Sequence, residues 1–214
     1  MKHGRFEAHK GNQHQPDVIP VNITSTQKPD TAGNILAYLH DFVFLLSGIL
    51  LVLLLLFRIM VVSGPSMNNT LVDGDYIILL NNVLCGSPKQ GDIIVASKDS
   101  FKNGEPIIKR VIATEGQEVD IDFAAGIVYV DGKALTEDYT LTPTNQYEGV
   151  NFPLVVDEGC LFVMGDNRNT SKDSRDPEIG LIDRREVLGK AIVLMFPGKS
   201  QSTGERDFSR IGAL

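Results

Sequence analysis

Residues Phe42 to Phe57 read FVFLLSGILLVLLLLF, a run with no charge, and Arg58 is the only charged residue before Val62 closes the stretch. As a helix, the 21 residues 42–62 would extend about 30 Å, the thickness of a bilayer core. A segment so uniformly apolar predicts a single transmembrane helix rather than the buried helix of a soluble core. A cleaved signal peptide would have a shorter apolar region, nearer the N-terminus and followed by small residues. Here the run ends Met60-Val61-Val62. Charge does not orient the span, because Lys28 lies well before it, His40 and Asp41 abut it, and Arg58 sits inside its far end.

Outward from this run the chain changes character on both sides. Residues 1–41 are rich in Asn, Gln, Thr, Asp, Lys and His with no helical or strand period, which predicts a disordered tail. Beyond Val62 come short apolar runs at Tyr76–Leu80, Ile93–Val95, Ile107–Ile112 and Ile127–Val130. Turn pairs separate them at Asp73-Gly74, Gly91-Asp92, Asp131-Gly132 and Gly165-Asp166. Only Arg184 to Leu188 reads as a short helical turn. The expected fold is therefore mainly β: an N-terminal transmembrane helix over 42–62, a compact domain of antiparallel sheets over 63–198, and a C-terminal tail over 199–214.

Composition narrows the chemistry. The 214 residues carry a net charge of −7, and from Ser63 onward 15 Lys and Arg stand against 23 Asp and Glu, a net −8. A domain this acidic argues against nucleic acid, whose phosphates require a basic face. Cys85 and Cys160 are far apart with no CxxC pair, so neither a zinc site nor a disulfide framework is indicated, and a single bridge between them is left open. All four histidines, His3, His9, His14 and His40, precede the apolar run. A Ser-His-Asp triad, a Cys-His dyad or an HExxH zinc site would need an imidazole in the folded domain. No metal or cofactor is expected.

Three segments carry candidate chemistry. In Ser63-Gly64-Pro65-Ser66-Met67-Asn68-Asn69-Thr70-Leu71, Gly64 permits close backbone approach and Pro65 sets φ. The Ser66 hydroxyl is thereby presented in a fixed direction, with its own N–H available to an oxyanion. In Pro106-Ile107-Ile108-Lys109-Arg110-Val111-Ile112, a strand period puts Lys109 on one face with Ile107 and Val111. An ordinary lysine, with a pKa of ~10.4, is too rarely neutral at pH 7 to serve as a base. Burial disfavours the ammonium form, and lowering the pKa to ~8 takes about 3 kcal/mol, within the range of buried lysines. The third segment runs from Val163 to Arg175 and leaves an apolar strand for a dense polar loop. There Asp173 is placed to pair with Arg110 or Arg175, and the Ser171 hydroxyl to reach an amine.

Taken in this order, the segments resemble the type I signal peptidases, from the apolar run to about Ala191. Ser66-Met67 with Thr70-Leu71 looks like that family's nucleophile box, and Gly91-Asp92-Ile93-Ile94 like its connecting box. Lys109-Arg110-Val111 looks like its base box, and Gly165-Asp166-Asn167-Arg168 through Asp173-Ser174-Arg175 like its last box. The resemblance implies a membrane-anchored serine endopeptidase that removes signal peptides from secretory preproteins after small residues. Ser66 would be the nucleophile and Lys109 the neutral base, with Ser171 orienting the lysine. Asp173, Arg110 and Arg175 would be ion-pair supports, and Asp166 and Arg168 would shape the loop.

The same resemblance implies that the signal peptide adds as a strand beside residues 62–66 and 106–109, with Met67, Leu71, Ile107 and Ile108 lining its shallow pockets. Gly64, two residues before the nucleophile, leaves the oxyanion to backbone N–H groups. Only 55 residues separate Lys109 from Gly165, which resembles the compact Gram-positive form, with its tail in the cytoplasm and its catalytic domain outside. The implied partners are preprotein signal peptides, the lipid bilayer and the protein export machinery, with no cofactor. Two other readings stand beside this one: a catalytically silent assembly factor for surface proteins, and a soluble self-cleaving repressor. The apolar run speaks against the second, and the intact Ser66 and Lys109 against the first.

Overall fold

The computed structural model describes residues 31–200 and 203–214; the part of the expected tail over 1–30 lies outside them. Helix α1 spans Thr31–Leu56. It is exposed along almost its whole length, and over Gly33–Leu56 its mean hydropathy of 2.5 makes it the one helix among the described residues long and apolar enough to cross a membrane. Its bounds correct the sequence expectation at both ends. Residues 31–41 are helical and not part of a tail, while 57–61 leave the helix for a strand, β1 (Phe57–Val61). Apolar character alone could not mark that end, because a strand that pairs with a neighbour is as apolar as the helix before it.

The remaining strands are β2 (Tyr76–Asn81), β3 (Ile93–Ala96), β4 (Ile107–Thr114), β5 (Glu118–Asp122), β6 (Ile127–Val130) and β7 (Lys133–Ala134). They continue with β8 (Leu154–Val155), β9 (Cys160–Met164), β10 (Ile182–Asp183), β11 (Val187–Phe196) and β12 (Gly212–Ala213). A single helical turn, α2 (Asn82–Cys85), follows β2, and the turn expected near Arg184 is a 3-10 turn at Arg184–Glu186. The larger sheet runs β1-β2-β11-β3-β4-β9-β10 with β12 on β11, and the smaller runs β7-β6-β5-β8. Every pairing is antiparallel, so the mainly β expectation holds.

Three apolar clusters hold the sheets together. All four residues of β3 are buried: Ile93 and Val95 join one cluster with Val62, Met67 and Leu79, whereas Ile94 and Ala96 join a second with Val111 and Val163. A strand covered on both faces needs apolar residues at every position, hence the unbroken run. β4 lies beside it with Lys109 opposite Ile94 and Arg110 opposite Ile93. On its other side it pairs with β9, and the register shifts between Val111 and Ala113. Such a bulge puts neighbouring residues on one side, and Ile112 and Ala113 both enter the third cluster, with Val119, Val128 and Phe162.

The expected C-terminal tail is in part folded structure. Val193 and Leu194 of β11 pair with Ala213 and Gly212 of β12. Arg210, in a turn just before it, donates to both carboxylate oxygens of Asp75, at 3.0 and 2.6 Å. Asp75 is fully buried, and a carboxylate so placed requires a cation or several donors.

Candidate active site

The loop from Ser63 to Leu71 leaves the first apolar cluster at Val62 and returns to it at Met67. Gly64 takes φ +87°, a conformation open to glycine at little cost, and its N–H donates to Asp73 Oδ1 at 2.8 Å. Beyond Pro65 the chain winds into a turn, with the Asn68 N–H on the Pro65 carbonyl at 3.1 Å and the Leu71 N–H on the Met67 carbonyl at 2.9 Å. This leaves Ser66 half-buried, its hydroxyl toward β4.

Lys109 reaches it from the middle of the larger sheet, with β3 on one side and β9 on the other. The residue is only 5% exposed. Its Nζ lies 2.9 Å from Ser66 Oγ and donates to the Ile108 carbonyl at 3.0 Å. The amine is therefore within hydrogen-bond reach of the hydroxyl, the separation a proton transfer needs. The sequence has no histidine after residue 40, and among the described residues no group of His, Cys, Asp and Glu is arranged to hold a metal.

The polar loop after β9 closes the site from the third side. The Asn167 N–H donates to the Ser66 carbonyl at 3.0 Å and its Nδ2 to the Pro65 carbonyl at 3.1 Å, so this side chain and backbone together clamp the serine turn. A Cβ on Gly165 would collide with Ser171 Oγ and with the Ser66 carbonyl oxygen, which explains the glycine there. Ser171 is buried and shares a cavity of about 850 Å³ with Ser66 and Lys109; its hydroxyl donates to the Lys172 carbonyl at 3.4 Å.

The ion pairs resolve the alternatives left by the sequence. Arg110 turns to Asp166, with Nε on Oδ1 at 2.8 Å and Nη2 on Oδ2 at 2.6 Å, while Asp173 takes Arg175 through two contacts of 2.8 Å. Thr70 Oγ1 donates to Asp166 Oδ2 at 2.5 Å, tying the serine loop to the first pair. Burial works against the charge on Arg110 and Arg175, but the paired carboxylates outweigh it and hold both above the ordinary arginine value. Tyr139, which sequence reasoning missed, lies with its ring 4.1 Å from the Arg110 guanidinium carbon. Burial and then Glu137 push its phenol up, so it stays protonated and donates to Glu137 at 3.0 Å. Arg168 is fully buried and pairs with that same Glu137. A Tyr and a Glu in a loop of mixed polarity have no local pattern that would have marked them.

Comparison with known proteins gives the family. The family model of signal peptidase, peptidase S26, matches residues 35–196. The chain belongs to the signal peptidase family.

Among its relatives, a probable signal peptidase I-1 of Synechocystis sp. is 40% identical over 160 residues, 69% of this chain and 78% of that protein. The signal peptidase I of Bacillus licheniformis is 36% identical over 156 residues, 69% of this chain and 81% of its own. A crystal structure of a signal peptidase I from Enterococcus faecalis aligns over 49% of this chain and 97% of its own, at 30% identity and a TM-score of 0.41. The protein is accordingly a signal-peptide-cleaving peptidase. Of the pocket residues expected for this signal peptidase, Met67, Ile107 and Ile108 line the cavity. Leu71 does not; it is 0% exposed and packs in the first apolar cluster with Ile77 and Leu79. The turn after Met67 carries it inward. Cys85 and Cys160 are both free thiols, which closes the alternative of a bridge.

Proposed function

We propose that Ser66 and Lys109 are the catalytic pair of a membrane-anchored signal peptidase. The observation that carries this reading is the 2.9 Å separation of Lys109 Nζ from Ser66 Oγ, in a chain with no histidine after residue 40. The neutral amine takes the hydroxyl proton as Oγ attacks the scissile carbonyl, then delivers that proton to the departing amine of the mature protein. Water, activated by the same amine, hydrolyses the ester and frees Ser66. The Ser66 N–H donates to no protein acceptor among the described residues and so is placed to receive the oxyanion. Ser171 orients the amine from the cavity wall; Asp173, Arg110 and Arg175 keep the loop in place.

The preprotein lies extended beside residues 62–66 and 106–109, which both line the cavity, and fits small side chains against Met67, Ile107 and Ile108. Helix α1 anchors the enzyme, and the nucleophile lies a few residues beyond the first strand, so the chemistry takes place at the membrane surface. The β domain is on the extracytoplasmic side, where secreted preproteins emerge beside the export machinery.

Cleavage of a preprotein by the detergent-solubilised full-length chain tests the pair. Ser66→Ala and Lys109→Ala are each expected to lose about 10³-fold or more in kcat, and the parent rate to rise toward alkaline pH as the amine loses its proton. Unchanged cleavage by either variant overturns the assignment.

A further inference from the structure

One carboxyl on the wall of the active-site cavity has no part in this chemistry. Glu148 lines the cavity with Ser66, Lys109 and Ser171, yet its side chain is only 7% exposed. Its Oε1 is 3.1 Å from Arg175 Nη2, and its Oε2 is buried without a hydrogen-bond partner. Arg175 is already engaged. Besides Asp173, its Nη2 donates to the carbonyl oxygens of Arg168 at 2.6 Å and Ser171 at 3.3 Å, and its Nη1 to that of Gln146 at 3.2 Å. Two carboxyl groups thus compete for one guanidinium, and the side chains of Arg175 and Asp173 are 0% exposed.

An ionised Glu148 would give this cluster a net negative charge and leave a bare carboxylate oxygen away from water; a proton removes both costs. Burial, then the neighbouring Asp173, push its carboxyl up to about 7 against the pull of Arg175 and of the nearby Asp173 backbone N–H. The charged groups that face it are Asp173, Arg175 and Asp176, and Lys109, Glu105 and Lys172 also line the cavity.

We propose that Glu148 is a positioning residue for the Ser66–Lys109 pair, acting through Arg175. With Glu148 neutral, the guanidinium belongs to Asp173 and to the Ser171 carbonyl and holds the Ser171 segment beside the lysine. With Glu148 ionised, the two carboxylates contend for Arg175 and that hold slackens. The shift reaches the nucleophile because the Ser171 side chain and the Ser66 carbonyl both border Gly165, where even a Cβ would meet each of them. The inference rests on the catalytic reading above.

Because the folded-state value lies above the ordinary 4.5, the folded protein holds an extra proton between the two. The stability this confers is complete below about pH 4.5 and is lost as pH rises through about 7. The test is kcat and KM for the full-length parent, Glu148→Gln and Glu148→Asp across this range. The Glu148→Gln to parent ratio of kcat is expected near one at about pH 6 and to rise about three- to tenfold by about pH 8, with the KM ratio level. Glu148→Asp, still titratable, keeps an inflection that Glu148→Gln lacks. A pH-independent kcat ratio overturns the proposal. Residual cleavage by Ser66→Ala in the same assay overturns the catalytic pair and this inference with it; a silent Ser66→Ala beside a level ratio overturns the inference alone. Infrared difference spectra of the parent need no variant. A protonated-carboxyl C=O band is expected to vanish between about pH 6 and about pH 8, and its absence also overturns the proposal.

Discussion

Between the Ser66 carbonyl and the Ser171 side chain there is room at residue 165 for a hydrogen and nothing larger. Ser66 is therefore held by contact on one side and by the Asn167 hydrogen bonds on another, so its hydroxyl direction does not depend on its own rotamer alone. Gly165→Ala is expected to lower kcat about 10²-fold, since a displacement near 1 Å is that costly to a reacting pair; a steady-state assay with a far-UV spectrum as folding control checks it. At this scale the sequence was partly legible. Ser66 and Lys109 stand in motifs whose chemistry needs an amine where imidazole is missing. Asn167 lay inside a recognised box without its role being visible, because a clamp is defined by what it reaches, here Pro65 and Ser66 about a hundred positions earlier in the chain. Leu71 failed for the matching reason: nothing local tells whether an apolar side chain after a turn faces a cavity or the core.

Among the elements, β3 was readable as an unbroken apolar run, since a strand covered on both faces has no polar side, and β4 as an apolar run interrupted by Lys109 and Arg110. β5, Glu118–Asp122, alternates buried and exposed residues but is short and acid-rich, and β1 was hidden in the apolar run that precedes it. The C-terminal segment carried no strand signal, yet it supplies Arg210 to the buried Asp75 and a strand to β11. Arg210→Ala is expected to cost about 1–3 kcal/mol, the penalty of leaving a buried acceptor short of a partner. The Gly198 N–H at 2.6 Å and the Val72 N–H at 2.8 Å still serve that carboxylate, which keeps the loss at this level. Urea denaturation of parent and variant measures it.

For the whole molecule, helix α1 and the β domain differ in the surface they expose. Helix α1 exposes Leu36, Phe44, Leu45 and Leu54 at 64–69%, an arrangement that water penalises by about 25 cal/mol per Å² and a bilayer does not. The full-length protein is expected to stay in the membrane pellet after alkaline carbonate extraction; release to the supernatant would remove the anchor from the proposed function. The β domain is held by its own clusters and by buried ion pairs among Arg110, Asp166, Arg175 and Asp173. Such pairs are weak sources of net stability but costly to break, so they define which loop arrangement is allowed rather than how firmly the domain folds.

The sequence by itself determined the apolar helix and the mainly β domain, and it marked Ser66 and Lys109 as the candidate pair in a chain with no histidine after residue 40. Each of these depends on residue type and near spacing, which the chain order preserves. Only the tertiary structure decided that Arg110 meets Asp166 while Asp173 meets Arg175, that Leu71 is core, that the C-terminal segment is bound to the sheet, and that Glu148 shares a guanidinium beside the Ser66 cavity. Those facts depend on which distant segments pack together, and a charge or a methyl group carries no mark of its partner until burial brings the two into contact.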